Sequence, residues 1–238
     1  MSEHEYAPNL DEPLEVTGEA ANYNGWIYDR ARPYLGRRVL DLGAGIGTFT
    51  RLAAEDGRDV VALEPHPQYA ELLEGELAAS TSVEVVRGTA EELRDSGPAP
   101  FDAAMCFNVL EHIRDDRSAL AAARDLLVPG GHLLLLVPAH RLLYGEVDRR
   151  IGHERRYSRG EVRRLAREAG LEVRTARYVN PLGALGWLVT FRLRRPERWP
   201  RGQYRLFDAL VPGLRLLDRL PIPFGLSVWL VARRPLSS

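Results

Sequence analysis

The fold is decided by the stretch Val39-Leu-Asp-Leu-Gly-Ala-Gly-Ile-Gly-Thr-Phe-Thr50. A short apolar run leads into three glycines, Gly43, Gly45 and Gly47, and a helical pattern follows them. Glycines where a strand turns into a helix let the backbone bend sharply and approach a ligand, and the free amides of the helix start offer hydrogen bonds. The segment therefore predicts a ligand-binding loop at the start of a βαβ unit.

The spacing of these glycines argues against a nicotinamide dinucleotide as the ligand. The dinucleotide-binding pattern requires a third glycine three residues after the second, which is position 48 here, and the chain has Thr48 instead. We therefore expect another ligand at this loop.

Apolar runs and helical patterns alternate along the rest of the chain. Five short runs of strand type lie at 39–42, 60–63, 83–86, 103–107 and 133–137. Helical spacing fills the gaps at 49–55, 69–79 and 118–127, and Pro129-Gly130-Gly131 predicts a break before the fifth strand. This alternation predicts an α/β, doubly wound sheet.

The last hundred residues follow a different pattern. Ser158, three residues before Glu161, forms a capping-box pattern that predicts a helix to about residue 170. Strands are predicted at 171–179 and 226–232, and the segment between them is rich in Pro, Gly, Trp and Arg, with a helical stretch near 204–220. We expect residues 1–238 to form a single domain. Its core would comprise 15–178 and 226–234, and 179–225 would be an insertion between the last two strands that acts as a lid or an interface.

The glycine loop resembles motif I of the class I S-adenosylmethionine-dependent methyltransferases of the small-molecule type, including Asp41 two residues before the first glycine. The run Val60-Val-Ala-Leu-Glu64 resembles the second strand of that family, whose final carboxylate accepts hydrogen bonds from both ribose hydroxyls. The resemblance implies a Rossmann-like, mostly parallel sheet of seven strands with an antiparallel final strand. It also implies S-adenosylmethionine as the cofactor and S-adenosylhomocysteine as the product.

Three further segments match the same family. Residues 88–92 resemble the turn that frames the adenine, 101–113 resemble motif IV beside the methionine part of the cofactor, and 22–28 resemble a leading helix whose aromatic residue closes over the cofactor. The cofactor contacts that the resemblance implies are Tyr23, Asp41, Gly43, Ala44, Gly45, Gly47, Glu64, Pro65, Thr89, Ala90, Glu91, Asn108, Val109 and His112.

A metal site is not expected from the sequence. Glu111 and His112 match a Glu-His pair that some family members use for a divalent metal, together with further acids. Asn108 replaces the third ligand, so only two potential ligands stand together in the chain. We therefore expect no metal.

The charges are divided unequally along the chain. Residues 1–140 contain 11 arginines and 24 acidic residues, whereas residues 141–238 contain 21 arginines and 9 acidic residues. The basic half is compatible with an anionic substrate, a lipid surface or nucleic acid, or the two halves neutralise each other within the fold or across a dimer. No lysine is present, which excludes Schiff-base and phosphate-loop lysine chemistry.

Catalytic and acceptor-binding residues are predicted around the carboxyl end of the sheet. A methyl acceptor that is an alcohol or phenol needs a base, and His112, His140 and His153 are the candidates because histidine titrates near neutral pH. The predicted substrate contacts are Tyr144, Arg155, Arg156, Tyr157 and Trp187. Aromatic residues of the insertion, which could form an apolar lid, are Trp187, Phe191, Trp199, Tyr204 and Phe207.

The predicted function is methyl transfer to a small or lipid-like metabolite, with oxygen favoured over nitrogen or carbon as the acceptor atom. Two alternatives remain open: an RNA methyltransferase that uses the basic half, and a membrane-associated binding protein without catalysis. Cys106 is the only cysteine and the residues before Leu14 do not form a signal-peptide pattern, which favours a cytoplasmic protein. Peripheral membrane contact, and a monomeric or homodimeric state, are left open.

Overall fold

The computed structural model describes residues 11–97, 100–190, 201–215, 220 and 222–236, with side chains from Leu14 onward. Phe191 and Trp199, two of the aromatic residues of the predicted lid, lie outside the described residues. The described helices are α1 (Asp11–Gly18), α2 (Ala21–Ala31), α3 (Thr48–Glu55), α4 (Pro67–Leu77), α5 (Ala90–Asp95), α6 (Asp116–Asp125), α7 (Glu146–Arg150), α8 (Arg159–Glu168), α9 (Pro181–Trp187) and α10 (Arg201–Leu214).

Seven strands form one sheet, which confirms the predicted Rossmann-like fold class. They are β1 (Arg38–Leu42), β2 (Asp59–Glu64), β3 (Val83–Arg87), β4 (Phe101–Phe107), β5 (Leu127–Pro138), β6 (Glu172–Val179) and β7 (Ser227–Arg233). Their order is β3-β2-β1-β4-β5-β7-β6; the first five strands in the chain run parallel, and β7 is antiparallel to both β5 and β6.

The sheet has an apolar core on each face, because alternate side chains of a strand point to opposite faces. Leu40 of β1 belongs to a core that includes Leu120 of α6 and other buried residues of α6 and α8. Val39 belongs to the other core, with Ile27 of α2 and Ala53 of α3. Both faces are covered by helices, which explains why the central strands read as nearly continuous apolar runs.

The predicted break before the fifth strand is wrong. Residue pairing begins at Leu127, which lies opposite Phe101, and β5 then runs through Pro129-Gly130-Gly131 with a register shift between Phe101 and Ala103. A Cβ atom on Gly131 would lie 2.9 Å from the Val128 carbonyl oxygen and 3.0 Å from that of Asp102. The glycine therefore permits a close backbone approach within an irregular strand, and does not end it.

The two oppositely charged parts of the chain meet where α10 packs on α1 and α2. Arg201 pairs with Glu15 at 2.9 Å and with Glu19 at 3.2 Å, and Arg215 pairs with Asp29 at 3.0 Å. The charge division is thus neutralised in part within the fold. Among the described residues, no helix combines the length and the apolar character that crossing a membrane requires.

Candidate active site

The loop between β1 and α3 has the bent backbone that its glycines predict. Gly43, Gly45 and Gly47 have φ angles of +67°, +55° and +79°, a region that residues with a side chain rarely adopt. The amides of Gly43 and Ala44 donate to the Leu63 carbonyl oxygen at 2.8 and 3.1 Å, which ties the loop to the end of β2. The loop therefore lies at the carboxyl edge of the sheet, where ligands of open α/β folds bind.

Asp41 supports this loop from below. Its side chain is buried, and one carboxylate oxygen accepts a hydrogen bond of 2.6 Å from the Thr50 hydroxyl of α3. Burial and, to a smaller extent, the nearby Glu64 raise the pKa of Asp41 to about 7, although its hydrogen bonds with Thr50 lower it. The structure thus places Asp41 as a brace between β1 and α3, and no sequence pattern had singled out Thr50 as its partner.

Glu64 faces the loop from the end of β2. One carboxylate oxygen accepts a hydrogen bond of 2.7 Å from the Gly45 amide, and the other accepts one of 2.8 Å from the His66 amide across Pro65. The side chain is buried, and this burial raises the pKa of Glu64, while the two amide donors lower it. A buried acceptor with two oxygens next to a glycine turn is suited to a ligand with paired hydroxyl groups.

The predicted adenine turn is the start of a helix. The hydroxyl of Thr89 accepts a hydrogen bond from the Glu92 amide, and the Glu92 carboxylate accepts one from the Thr89 amide, which together form a capping box at the start of α5. The Thr89 side chain therefore already serves as a helix cap. Ala90 and Glu91 form the first turn of α5.

The turn after β4 packs directly against the glycine loop. Asn108 is exposed with a φ angle of +55°, and a Cβ atom on Gly43 would lie 2.7 Å from a methyl group of Val109. The following 3₁₀ turn, Leu110–His112, carries Glu111 and His112. The structure thus brings the predicted contacts on β1, β2 and β4 to one edge of the sheet.

Tyr23 belongs to the helical cover of this edge. Its ring contacts Trp26 at 5.7 Å and Phe207 of α10 at 5.9 Å between centroids. Burial raises the pKa of its hydroxyl to about 12, whereas hydrogen bonding with the side chains of Asn180 and Ser227 lowers it. Asn180 and Ser227, which the sequence analysis missed, lie where β6 ends and β7 begins.

Two of the three candidate bases lie together. The rings of His112 and His153 are 4.8 Å apart at an angle of 80°. Burial lowers the pKa of both imidazoles, that of His112 to about 3. Beside them, Glu111 is fully buried, and burial raises the pKa of its carboxyl group to about 8. At neutral pH both rings are therefore uncharged, and His112 is a weak base.

His140 lies apart from this pair. It follows β5 with a φ angle of +62°, and its ring stacks on Tyr178 at 4.7 Å. Its Nε2 accepts a hydrogen bond of 3.4 Å from the Gly225 amide, and burial lowers its pKa. Since the acceptor nitrogen is already engaged, this geometry suits a base less well than the sequence indicated.

The predicted substrate contacts already have partners within the protein. Arg156 is buried, binds Asp148 at 2.7 Å and lies 4.5 Å above the ring of Trp187. Arg155 binds Asp116 at 2.9 Å, and the hydroxyl of the buried Tyr157 also contacts Asp116, at 3.1 Å. The Tyr144 hydroxyl donates to the His153 carbonyl oxygen at 2.8 Å. The contacts of Arg155 and Tyr157 with Asp116 join segments about 40 residues apart in the chain and left no signal in the sequence.

The carboxyl edge of the sheet thus combines a bent glycine loop, the buried carboxylate of Glu64 and the helices α2 and α10 that cover them. Together these features define an α/β domain that binds a nucleoside-containing cofactor at the carboxyl ends of β1, β2 and β4. A family model described as a methyltransferase domain matches residues 11–176. The chain belongs to this family, the class I S-adenosylmethionine-dependent methyltransferases.

Individual relatives support the same family. The chain is 32% identical over 110 residues to the ubiquinone biosynthesis O-methyltransferase of Aliivibrio fischeri strain MJ11, which covers 45% of this chain and 47% of that protein. The chain therefore spans about half the length of the curated relatives it matches. In a complex between the Haloferax volcanii Trm112 methyltransferase activator and a methyltransferase, one chain superimposes with a TM-score of 0.66 at 17% identity, covering 98% of both chains.

A cofactor-bound structure has the same fold. The phosphoethanolamine N-methyltransferase 2 of Haemonchus contortus, in complex with S-adenosyl-L-methionine, gives a TM-score of 0.62 at 19% identity, over 90% of this chain and 52% of that one. At such identities the likeness concerns the fold alone. With the family match, it agrees with S-adenosylmethionine as the cofactor of this chain.

Proposed function

We propose that the chain transfers a methyl group from S-adenosylmethionine to an oxygen atom of a small, lipid-like acceptor. The observation that carries the proposal is the position of Glu64, whose buried carboxylate meets the Gly45 amide at the end of β2. A ribose with two adjacent hydroxyl groups can bind this carboxylate, and the bent loop leaves backbone amides for the rest of the cofactor. The sulfonium charge activates the methyl group, so the protein's main contribution is alignment of the acceptor.

Two observations support oxygen and a lipid-like acceptor. The curated relatives whose sequences align with part of this chain are named as O-methyltransferases of ubiquinone biosynthesis. In addition, the segment that follows Asn180 at the carboxyl edge exposes several large apolar side chains, as does α10. These are Leu182, Leu185, Leu188, Val189, Leu206 and Leu210. An apolar surface beside the cofactor edge fits an acceptor with a hydrocarbon part.

Nucleic acid fits the arginines of α10 less well. Arg201 and Arg205 bind Glu15 and Glu19 of α1 and the turn after it, and Arg215 binds Asp29 of α2. An arginine that contacts a phosphate would have to leave these carboxylates or share its charge with them. We therefore propose a small acceptor ahead of RNA.

A calorimetric titration tests the cofactor part of the proposal. The purified full chain is titrated with S-adenosylmethionine and S-adenosylhomocysteine, in parallel with Glu64→Gln and with Glu84→Gln on the exposed face of β3 as the matched control. We expect Glu64→Gln to weaken binding by roughly tenfold or more, since hydrogen bonds to a charged group contribute about 1.5–3 kcal/mol. Glu84→Gln should bind like the unchanged chain.

A transfer assay tests the acceptor. The chain is incubated with methyl-labelled S-adenosylmethionine and, separately, with phenolic prenyl lipids or with total RNA. We expect label in the lipid fraction that is lost in Glu64→Gln. Failure of the unchanged chain to bind either cofactor form would contradict the function as a whole, and label in RNA alone would favour the alternative.

A further inference from the structure

The cluster that remains unexplained is the group Glu111, His112 and His153. Each side chain offers one ligand atom, and these atoms lie within 4.8 Å of one another. Glu111 and His112 stand in the turn after β4, whereas His153 arrives from a loop about 40 residues later in the chain. The hydrogen bond of 2.8 Å from the Glu154 amide to the Glu111 carbonyl oxygen fastens this loop to the turn.

Glu111 is the unusual member of the cluster. Its side chain is fully buried, and neither carboxylate oxygen has a hydrogen-bond partner among the described residues. The Nε2 atom of the His153 ring lies 3.9 Å from Glu111 Oε1. A buried carboxyl group without hydrogen-bond partners is costly, because its desolvation is not compensated by hydrogen bonds. The fold therefore leaves an acceptor group aimed at the two imidazoles.

The His153 ring is oriented by the carboxylate of Asp148. His153 binds Asp148 Oδ1 through its Nδ1 at 2.8 Å, which directs Nε2 toward Glu111. Asp148 is in turn held by Arg156 at 2.7 Å and by the Gly145 amide at 2.9 Å, so its negative charge is already balanced. A carboxylate that fixes one nitrogen of a histidine is the usual outer partner of a metal-bound imidazole.

From this geometry we propose that Glu111, His112 and His153 bind one divalent transition-metal ion, with Asp148 as the partner that positions His153. Two neutral imidazoles and one carboxylate favour Zn²⁺ or a similar ion over Mg²⁺, which prefers oxygen ligands. Bonds of about 2.1 Å to one ion require the ligand atoms to move closer together by small side-chain rotations. The inference extends the proposed function without depending on it, and departs from the sequence-based expectation of no metal.

The chemistry available at such a site is that of an ion with an open position. Three protein ligands leave room for an exogenous oxygen, and an ion of this kind acts as a Lewis acid toward it. Glu111 and His112 follow Val109, which packs on the glycine loop, by two and three residues, so these two ligands lie next to the cofactor edge. An oxygen-containing acceptor is the class of ligand that this position would receive.

The test measures metal binding directly. The full chain is stripped with a chelator, dialysed against Zn²⁺, and analysed for bound metal and by calorimetry; Co²⁺ is used as a spectroscopic replacement. We expect about one ion per chain and a visible absorption spectrum of Co²⁺ in a low-coordinate nitrogen and oxygen site. Glu111→Gln and His153→Gln should lower Zn²⁺ affinity by more than roughly tenfold, and Asp148→Asn by about 10- to 100-fold.

His132→Gln serves as the control, because His132 lies within β5 beside Tyr34 and not in the cluster. Its Zn²⁺ affinity should equal that of the unchanged chain. Absence of Zn²⁺ binding by the unchanged chain, or equal binding by Glu111→Gln and His153→Gln, would overturn the proposal. If these variants do not fold, imidazole NMR of the unchanged chain decides: Zn²⁺ must shift the signals of His112 and His153 and leave that of His132 in place.

The same samples are titrated with S-adenosylmethionine. Cofactor binding without Zn²⁺ binding would refute the metal site and leave the methyltransferase function intact. Zn²⁺ binding without cofactor binding would refute the methyltransferase function and leave the metal site intact.

Discussion

Replacement of Gly43 by alanine separates the two reasons for which the loop uses glycine. The new Cβ atom would lie 2.7 and 2.8 Å from the two methyl groups of Val109, and φ is +67°. Gly57→Ala is the matched control, since its φ is +77° and no atom lies within 4 Å of its Cβ position. Both variants share the cost of the left-handed backbone, about 1–2 kcal/mol, and the smaller gain from a stiffer unfolded chain.

The difference between the two variants therefore measures the overlap with Val109. Carbon atoms at optimal contact are about 3.5–4.0 Å apart, and extra atoms in a packed site cost about 1–3 kcal/mol. For a chain of this length that corresponds to a midpoint of thermal unfolding about 2–12 °C lower for Gly43→Ala than for Gly57→Ala. Differential scanning calorimetry measures both midpoints.

A second substitution checks the cause. Val109→Ala in the Gly43→Ala background should recover much of the lost stability, beyond what the single substitutions predict when added. Equal midpoints for Gly43→Ala and Gly57→Ala, or no coupling with Val109→Ala, would refute the packing of the turn after β4 on the loop.

Gly45→Ala should behave in the opposite way. Its Cβ position is 3.7 Å from a methyl group of Leu14, which is an ordinary contact, so its stability should resemble that of Gly57→Ala. Alanine keeps the amide that binds Glu64, but its Cβ atom would occupy space in which the cofactor approaches this loop. The affinity for S-adenosylmethionine should therefore fall by roughly tenfold, since an extra carbon atom in a packed site costs about 1–3 kcal/mol. Undiminished affinity in calorimetry would contradict the position of the cofactor.

Four further outcomes follow from the same contacts. The affinity for S-adenosylmethionine should decrease as the pH is lowered through the pKa of Glu64, because protonation removes the acceptor. Since this pKa is raised, the decrease should begin above the usual value of about 4.3, and an affinity that stays constant down to pH about 4.3 would contradict this. Asp41 has a native pKa of about 7, above its unfolded value of about 3.9, so its contribution to stability is complete below about pH 4 and is lost as the pH rises through about 7. In urea unfolding, Asp41→Asn should flatten this decline of the unfolding free energy with pH. An unchanged pH dependence in the variant would disprove the raised pKa. Thr89→Ala should lower the unfolding free energy by about 1 kcal/mol, because the N-cap of α5 is lost. An unchanged unfolding free energy would show that this cap does not stabilise the protein. Asp208→Ala should also cost about 1 kcal/mol of unfolding free energy, because the Asp208 carboxylate accepts a hydrogen bond of 2.8 Å from the Tyr23 amide at the start of α2. An unchanged unfolding free energy would argue against this contact.

The strands and the cofactor edge were largely predictable, because they depend on local patterns. β1 to β4 were each placed within two residues of their observed bounds, since short apolar runs between helical segments have few other readings. Glu64 was identified through the resemblance to the family, and it lies beside the glycine loop because a parallel sheet brings the ends of β1 and β2 to one edge. Thr89 was read as a turn although the pattern Thr89 to Glu92 contains a capping box, a signal that could have been used.

The side-chain partnerships were not predictable. Asp148 and His153 are close in sequence, but nothing local shows that Glu111 lies against them. Arg156 was predicted as a substrate contact; in the structure it is buried, because Asp148 balances its charge and Trp187 covers it. Such roles depend on contacts between distant segments, and single residues carry no sign of them.

The charge division of the chain has a structural meaning at α2. This helix begins after Ala20, which cannot cap it, and the free amides of Asn22 and Tyr23 bind Asp208 of α10 instead. A carboxylate at a helix start is favourable, whereas exposed ion pairs such as those of Arg201 contribute little by themselves. The ion pairs therefore matter mainly because they align α10 so that Asp208 reaches α2. Since α2 also carries Tyr23 over the carboxyl edge, α10 and its arginines are tied to the cover of the cofactor site.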